Sequence, residues 1–251
     1  MHSNSSYIAI TYMNFRIPIL FIAVITVLSA CKGKDTVAPI DKNPPQVTTI
    51  NTTADTINIY QNNVRQNNTS SIYPGGATTY LPFLRGTQNY QVRRTGTTDV
   101  LFTKTVTIDS ATNYTFFVAG TTADKFFTII DPILAATDTI STDNTFTRSV
   151  IRVVNASYDA GPINVTVGTG DTVNVKNLAF GTATPFMKFN ASHNQEVKVT
   201  SATSNTVLYD VITTFQTGVI YTLYTKGSPA STGNSAFGIG LTTNQYIPLN
   251  L

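Results

Sequence analysis

The sequence predicts an all-β protein built as two tandem antiparallel β-sandwiches, immunoglobulin-like or similar. Three observations carry that expectation. Charged residues make up only 12% of the 251 residues, roughly half the usual quarter. Thr, Ser and Asn take their place, and 14 Phe and 12 Tyr supply core material, a set that suits a pleated, half-buried surface. The chain also matches itself. Ile57-Asn58-Ile59 falls on Ile163-Asn164-Val165 at an offset of 106, and the stretch from Gly75 to Phe83 falls on Gly181 to Phe189. One inserted residue then shifts Val100-Leu101-Phe102 onto Val207-Leu208-Tyr209 and Tyr114 to Phe117 onto Tyr221 to Tyr224, with Gly120 meeting Gly227. Finally, apolar residues alternate in Ile163, Val165, Val167, in Val197, Val199 and in Tyr114, Phe116, Val118, with turn signals such as Pro74-Gly75-Gly76 and Thr95-Gly96 between runs. No helical period stands out beyond the N-terminal leader.

Residues 1–30 read as that leader, with Met13 the better start. Arg16 precedes an eleven-residue apolar run, Ile17 to Val27, which fits a signal-peptide core and is too short to span a bilayer. The run ends in Leu28-Ser29-Ala30-Cys31, and Cys31 is the only cysteine. This segment resembles a bacterial lipobox, which implies cleavage after Ala30 and a lipid on Cys31, palmitate among its acyl chains. Several acyl chains on one residue anchor stably, and with no second cysteine the mature chain has no internal disulfide. Residues 31–45, polar and holding Pro39, Pro44 and Pro45, form an extended tether. The first repeat is expected over 46–136, a polar linker over 137–147 and the second repeat over 148–251. Each copied unit is expected to fold by itself.

The opening of the second unit, Ser149 to Ala160 (SVIRVVNASYDA), resembles the family called domain of unknown function 4397. The family pattern is an apolar strand, a His-Ala-Ser-Pro-Asp-Ala-like turn and a further short strand. Asn155 stands for the His and Tyr158 for the Pro, while Ile163-Asn164-Val165, Leu178 to Gly181 and the Tyr221-Thr222-Leu223 strand follow the pattern. The first unit diverges at its opening, Thr49 to Asp55. The resemblance implies secreted, often duplicated β-domains and carries over no catalytic residue.

Chemistry-bearing residues are sparse. Behind the leader stand one histidine, His193, in an expected turn, and one glutamate, Glu196. Acid–base or glycosidic catalysis needs partnered groups that these lack. No nucleophile elbow, phosphate loop or Cys/His metal cluster occurs, so no catalytic residue, cofactor or metal site is assigned and a hydrolase is a remote alternative. Asp131, Asp138, Asp143 and Asn144 could offer oxygen ligands to Ca²⁺, but turn chemistry is the adopted reading. Tyr114 and Tyr221 each stand five residues after Asp109 or Gln216 and three after the small Ala111 or Gly218. This spacing resembles a tyrosine corner, with plain strand aromatics equally open.

Net charge is +3 with no basic run, which argues against nucleic acid. What remains is a cell-envelope protein, in an outer membrane on either its periplasmic or its surface face, partnered with the membrane through Cys31. It would serve as a binding or structural module for a glycan, a protein or an envelope partner, or else as an accessory subunit of a larger complex. Five Asp-Ser/Thr-apolar triplets, centred on Thr36, Thr56, Ser110, Thr139 and Thr172, are similar to the O-glycosylation acceptor of the Bacteroides group. They are also ordinary turn chemistry before strands.

Overall fold

The computed structural model describes residues 41–67, 70–141, 148–168 and 173–247; the side chains of 138–141 are outside the description. Two sheets form the first half. One has strand order β4 (Leu81–Pro82), β1 (Gln46–Asn51), β7 (Asn113–Val118), β8 (Phe126–Ile130). The other has order β3 (Val64–Arg65), β2 (Ile57–Gln61), β5 (Gly86–Arg94), β6 (Val100–Ile108). The second half repeats this strand for strand. β12 (Met187–Asn190), β9 (Arg148–Val154), β15 (Val219–Lys226) and β16 (Gly238–Tyr246) make its first sheet. β11 (Val173–Leu178), β10 (Ile163–Val167), β13 (Gln195–Ser201) and β14 (Val207–Thr213) make the other. Both halves are therefore β-sandwiches, antiparallel except for one pair each. β1 runs parallel to β7, and β9 parallel to β15.

The alternation read from the sequence is the inward face of these sheets. Ile57, Ile59, Tyr90, Val92, Phe116 and Val118 fill the first core, where Phe116 meets Tyr90 and Phe126 edge-on at 5.1 and 5.2 Å, the geometry aromatic quadrupoles favour. Val165, Val167, Val197, Val199, Phe215 and Tyr221 fill the second. Hairpin β2–β3 closes through Asn62 and Asn63, at φ 49° and 68°. Two left-handed residues make the turn whose twist matches the strands, and asparagine tolerates that region.

The tyrosine-corner spacing is realised in both copies. The Tyr114 hydroxyl accepts the Asp109 N–H at 3.1 Å, and the Tyr221 hydroxyl accepts the Gln216 N–H at 2.8 Å. Ala111 and Gly218 between them take positive φ, which glycine adopts freely and alanine only against its Cβ.

Two features were not legible in the sequence. Residues Ile133–Ser141 form a short helix, α1, across the boundary at 136/137 where no helix was read. Its Ile133 and Ala136 bury against Val150 and Ile220, and tertiary packing outweighs the weak propensity of its threonines. The halves also do not stand apart. The outward residues of β1 and β7 and those of β9 and β15 are buried as fully as the inward ones, because these two sheets cover each other. Ile50, Phe117, Val154 and Tyr224 form an apolar cluster in that seam, and the Tyr224 hydroxyl donates to the Gly75 carbonyl at 2.8 Å.

Beside this cluster lies an ion pair across the halves. Arg152 Nη2 is 2.6 Å from Asp131 Oδ1, with side-chain exposures of 2% and 0%. The contact lies off the hydrogen-bonding direction of that oxygen; Nη2 donates instead to Thr115 Oγ1 and Nε to Thr222 Oγ1. Asp131 Oδ2 accepts from Thr115 and from the Tyr80 hydroxyl, which in turn accepts from Asn244 Nδ2. Asp131 is thus committed to the seam.

Candidate functional site

Four loops meet at one end of the seam, and they are two equivalent pairs. The β1–β2 loop corresponds to the β9–β10 loop, and the β7–β8 loop to the β15–β16 loop. Each opening loop is pinned by a fully buried asparagine. Asn51 Oδ1 accepts from the N–H and hydroxyl of Thr53, while Nδ2 donates to the carbonyls of Asp55 and Ile72. Asn155 does the same work with the Ser157 N–H and the carbonyls of Gly161 and Leu178. Side-chain amides that bond nearby backbone in this way hold a turn without help from a sheet ladder. Asn51 is the counterpart that the diverged opening of the first copy concealed.

Between the loops lies a cleft of about 190 Å³. The first half lines it with Thr52, Thr53, Asp55, Gly120, Thr121 and Lys125, the second with Tyr158, Gly227, Ser228, Ser231 and Ser235. Gly120 and Gly227, paired by the repeat, therefore face one space. A Cβ on Gly120 would collide with the Lys125 side chain, so glycine here lets Lys125 lie across the loop. Its ammonium then rests 3.8 Å from the centroid of the Tyr158 ring, a cation–π contact joining the halves. Asp55 is held by Arg94 through two hydrogen bonds of 3.0 and 3.1 Å, and hydrogen bonding to Asp55 raises the Arg94 pKa. The Ser228 hydroxyl donates to Asp159. The cleft is polar, pre-formed and close to neutral: a carboxylate already paired, an ammonium on an aromatic face and several hydroxyls.

A second hollow of about 370 Å³ lies within the first half, lined by Gln66, Asn67, Ser70 and Tyr73 among others. Its described lining carries no charged side chain.

The residues singled out from the sequence lie elsewhere. His193 is exposed in the β12–β13 connection. Glu196 bonds Lys198, which also pairs with Asp210 at 3.1 Å. Those contacts, the bond to Glu196 foremost, raise the Lys198 pKa on the protein surface. Asp131 is in the seam. Among the described residues no group of His, Cys, Asp and Glu has the makings of a metal site. Asp143 and Asn144 lie outside the described residues, as does the side chain of Asp138. Cys31, Thr36 and Thr172 also lie outside them, and Thr139 falls in α1 with its side chain undescribed. Thr56 and Ser110 are half-buried at the entries to β2 and β7. Sequence reasoning missed Lys125 and Tyr80 altogether. Arg152 did leave a signal, a lone charge in the apolar run Ser149 to Val154, which marks a charge that must find a buried partner.

A family model described as Domain of unknown function (DUF4397) matches residues 45–143 and 149–248. No curated protein matches the chain. Among solved structures, a candidate cell adhesion protein from Bacteroides ovatus ATCC 8483 aligns over 83% of this chain and 99% of its own, at 10% identity and a TM-score of 0.23. A superposition that loose transfers no role.

Proposed function

Since the chain belongs to the family called domain of unknown function 4397, in two tandem copies, we propose that it is a non-catalytic binding module of the cell envelope, held to the membrane by a lipid on Cys31. The observation that carries the binding role is the seam cleft. Loops at the end of a sandwich are where recognition residues accumulate on a rigid scaffold, and here four loops from both copies line one pre-formed polar space. The lining holds hydroxyls, a lysine and a carboxylate fixed by arginine, groups that hold a ligand by hydrogen bonding. The anchor rests on Leu28-Ser29-Ala30-Cys31 behind its apolar run.

Two measurements test this reading. Intact mass of protein from its native host should show a diacylglyceryl-modified Cys31 at the N-terminus, and Cys31→Ala should remain unprocessed; an unmodified Cys31 would end the anchoring proposal. The same spectra report glycan on Thr36, Thr56, Ser110, Thr139 and Thr172, the acceptor sites we propose. For binding, amide resonances of Thr53, Gly120 and Gly227 in the full-length protein should shift when envelope extract is added. Their indifference would count against the cleft.

A second reading, an accessory subunit, is favoured by β16. This nine-residue edge strand carries no charged residue, and such an edge accepts an extended segment of another protein. Co-extraction with a fixed partner in constant ratio would decide for it.

A further inference from the structure

The chemistry of the seam cleft narrows its ligand. We infer that the cleft takes a single neutral pyranose unit, the exposed end of a glycan; this rests on the reading of the cleft as the binding site.

Charge comes first. Asp55 is neutralised by a two-point bond from Arg94, and the Lys125 ammonium is seated on the Tyr158 ring. An anionic ligand would have one lysine to meet it and a carboxylate on the same wall. A cationic ligand would meet Lys125. Neither sign is favoured, and a neutral ligand avoids desolvating an unpaired charge.

Hydrogen bonding comes second. Thr121, Ser231 and Ser235 line the space, and their hydroxyls bond to no other group among the described residues. A hydroxyl gives one donor and two acceptor sites, so this wall suits a partner that both donates and accepts at neighbouring positions. A sugar ring bearing adjacent hydroxyls does so; an apolar ligand would leave these groups unpaired, at a cost.

Size and shape come third. At about 190 Å³ the cleft lies below the ~300–1,000 Å³ of sites that engulf drug-sized molecules, which suits one ring and not a chain. Tyr158 retains 43% exposure, leaving aromatic surface beside the lysine for the C–H face of a ring. The loops are preset by Asn51 and Asn155, so little ordering cost falls on binding.

The test uses the full-length protein in nanodiscs, four neutral probes, the methyl glycosides of glucose, galactose, mannose and N-acetylglucosamine, and one anionic probe, methyl glucuronide. Saturation-transfer NMR should show at least one of them bound. Gly120→Ala, which displaces Lys125, and Tyr158→Ala should each weaken that binding about tenfold, the scale of losing one aromatic anchor. Circular dichroism of both variants should match wild type, and Thr103→Ala on the exposed face of β6 should bind as wild type does. Stronger binding of methyl glucuronide than of every neutral probe would overturn the neutral class. Sugar binding indifferent to both cleft variants would overturn the site. If envelope extract shifts Gly120 and Gly227 while no glycoside binds, the pyranose class fails and the binding module stands. If neither extract nor glycoside has an effect, both fail.

Discussion

Arg152 and Asp131 sit opposite each other, each at a place where the two copies have diverged. By strand register Arg152 corresponds to Thr48, and Asp131 to Asn244. Tyr80, which bonds Asp131, corresponds by the repeat offset to Phe186, over which the Arg152 guanidinium lies at 5.0 Å. One copy supplies the acid and its phenol, the other the base. Two first copies pressed together would set each Asp131 against a Thr48, and two second copies would set each Arg152 against an Asn244, leaving buried charges unpaired in either case. The pair therefore specifies which sheet meets which, a register role for which buried charges are better attested than for net stability. Asp131→Ala should cost about 3–5 kcal/mol, because it leaves Arg152 buried and unpaired, while Arg152→Met with Asp131→Leu should recover most of that loss. Urea unfolding of the single and the double variant beside the unaltered chain measures both. The phenols of the seam and cores add a pH signature. Burial raises the pKa of Tyr80 and Tyr90, and that of Tyr224 to about 12 against an ordinary 10.0. As pH rises past 10 the unfolded chain releases these protons while the folded chain retains them, so stability is intact below about pH 10 and falls between 10 and 12. Absorbance at the phenolate band should show these tyrosines ionising together with unfolding.

At the scale of elements, the corner tyrosines offer the cleanest comparison, because the duplication provides a replicate. Tyr114→Phe and Tyr221→Phe each remove one acceptor and strand one backbone N–H. Each should cost about 1 kcal/mol, and the two effects should add, since separate cores hold them. Thermal melts of both single variants and the double variant check this. The spacing of these corners, the inward strand faces and the duplication of one module were legible in the sequence. Period-two alternation and a near-gapless self-match both leave marks in the chain. Helix α1 was not legible, because nine residues with three alcohols give no amphipathic stripe until Val150 and Ile220 supply its partner. Nor was the seam. Thr48, Thr115 and Thr222 occupy the outward phase of their strands, where threonine reads as solvent-facing, and only the presence of the other sheet buries them. The cleft was half legible: Gly120 and Gly227 emerged as a repeated pair, but nothing along the chain says that both close on one space.

The molecule as a whole follows from that seam. The described residues of Asn43–Leu251 form one compact unit, with two cores and a further apolar cluster shared between halves. Were each sandwich independent, β1, β7, β9 and β15 would expose a full outer face, and the chain would melt in two steps. With those faces buried against each other, loss of one half uncovers Phe117 or Tyr224 together with one member of the ion pair, so the second half follows. Calorimetry of the intact chain should show a single transition whose calorimetric and van't Hoff enthalpies agree. The place to break the coupling is Gly240. In the first copy Phe117 stacks on Phe127 at 5.0 Å; at the matching place in the second, Gly240 leaves room for the Tyr224 ring, and a Cβ there would overlap it. Gly240→Ala should drive Tyr224 from the seam, sever its bond to Gly75 and cost about 1–3 kcal/mol, as overpacking does. If the halves are coupled through this seam, the variant's transition should broaden or divide while both corner tyrosines keep their bonds. Two transitions in the unaltered chain would mean that each sandwich stands alone and that the seam only keeps them side by side.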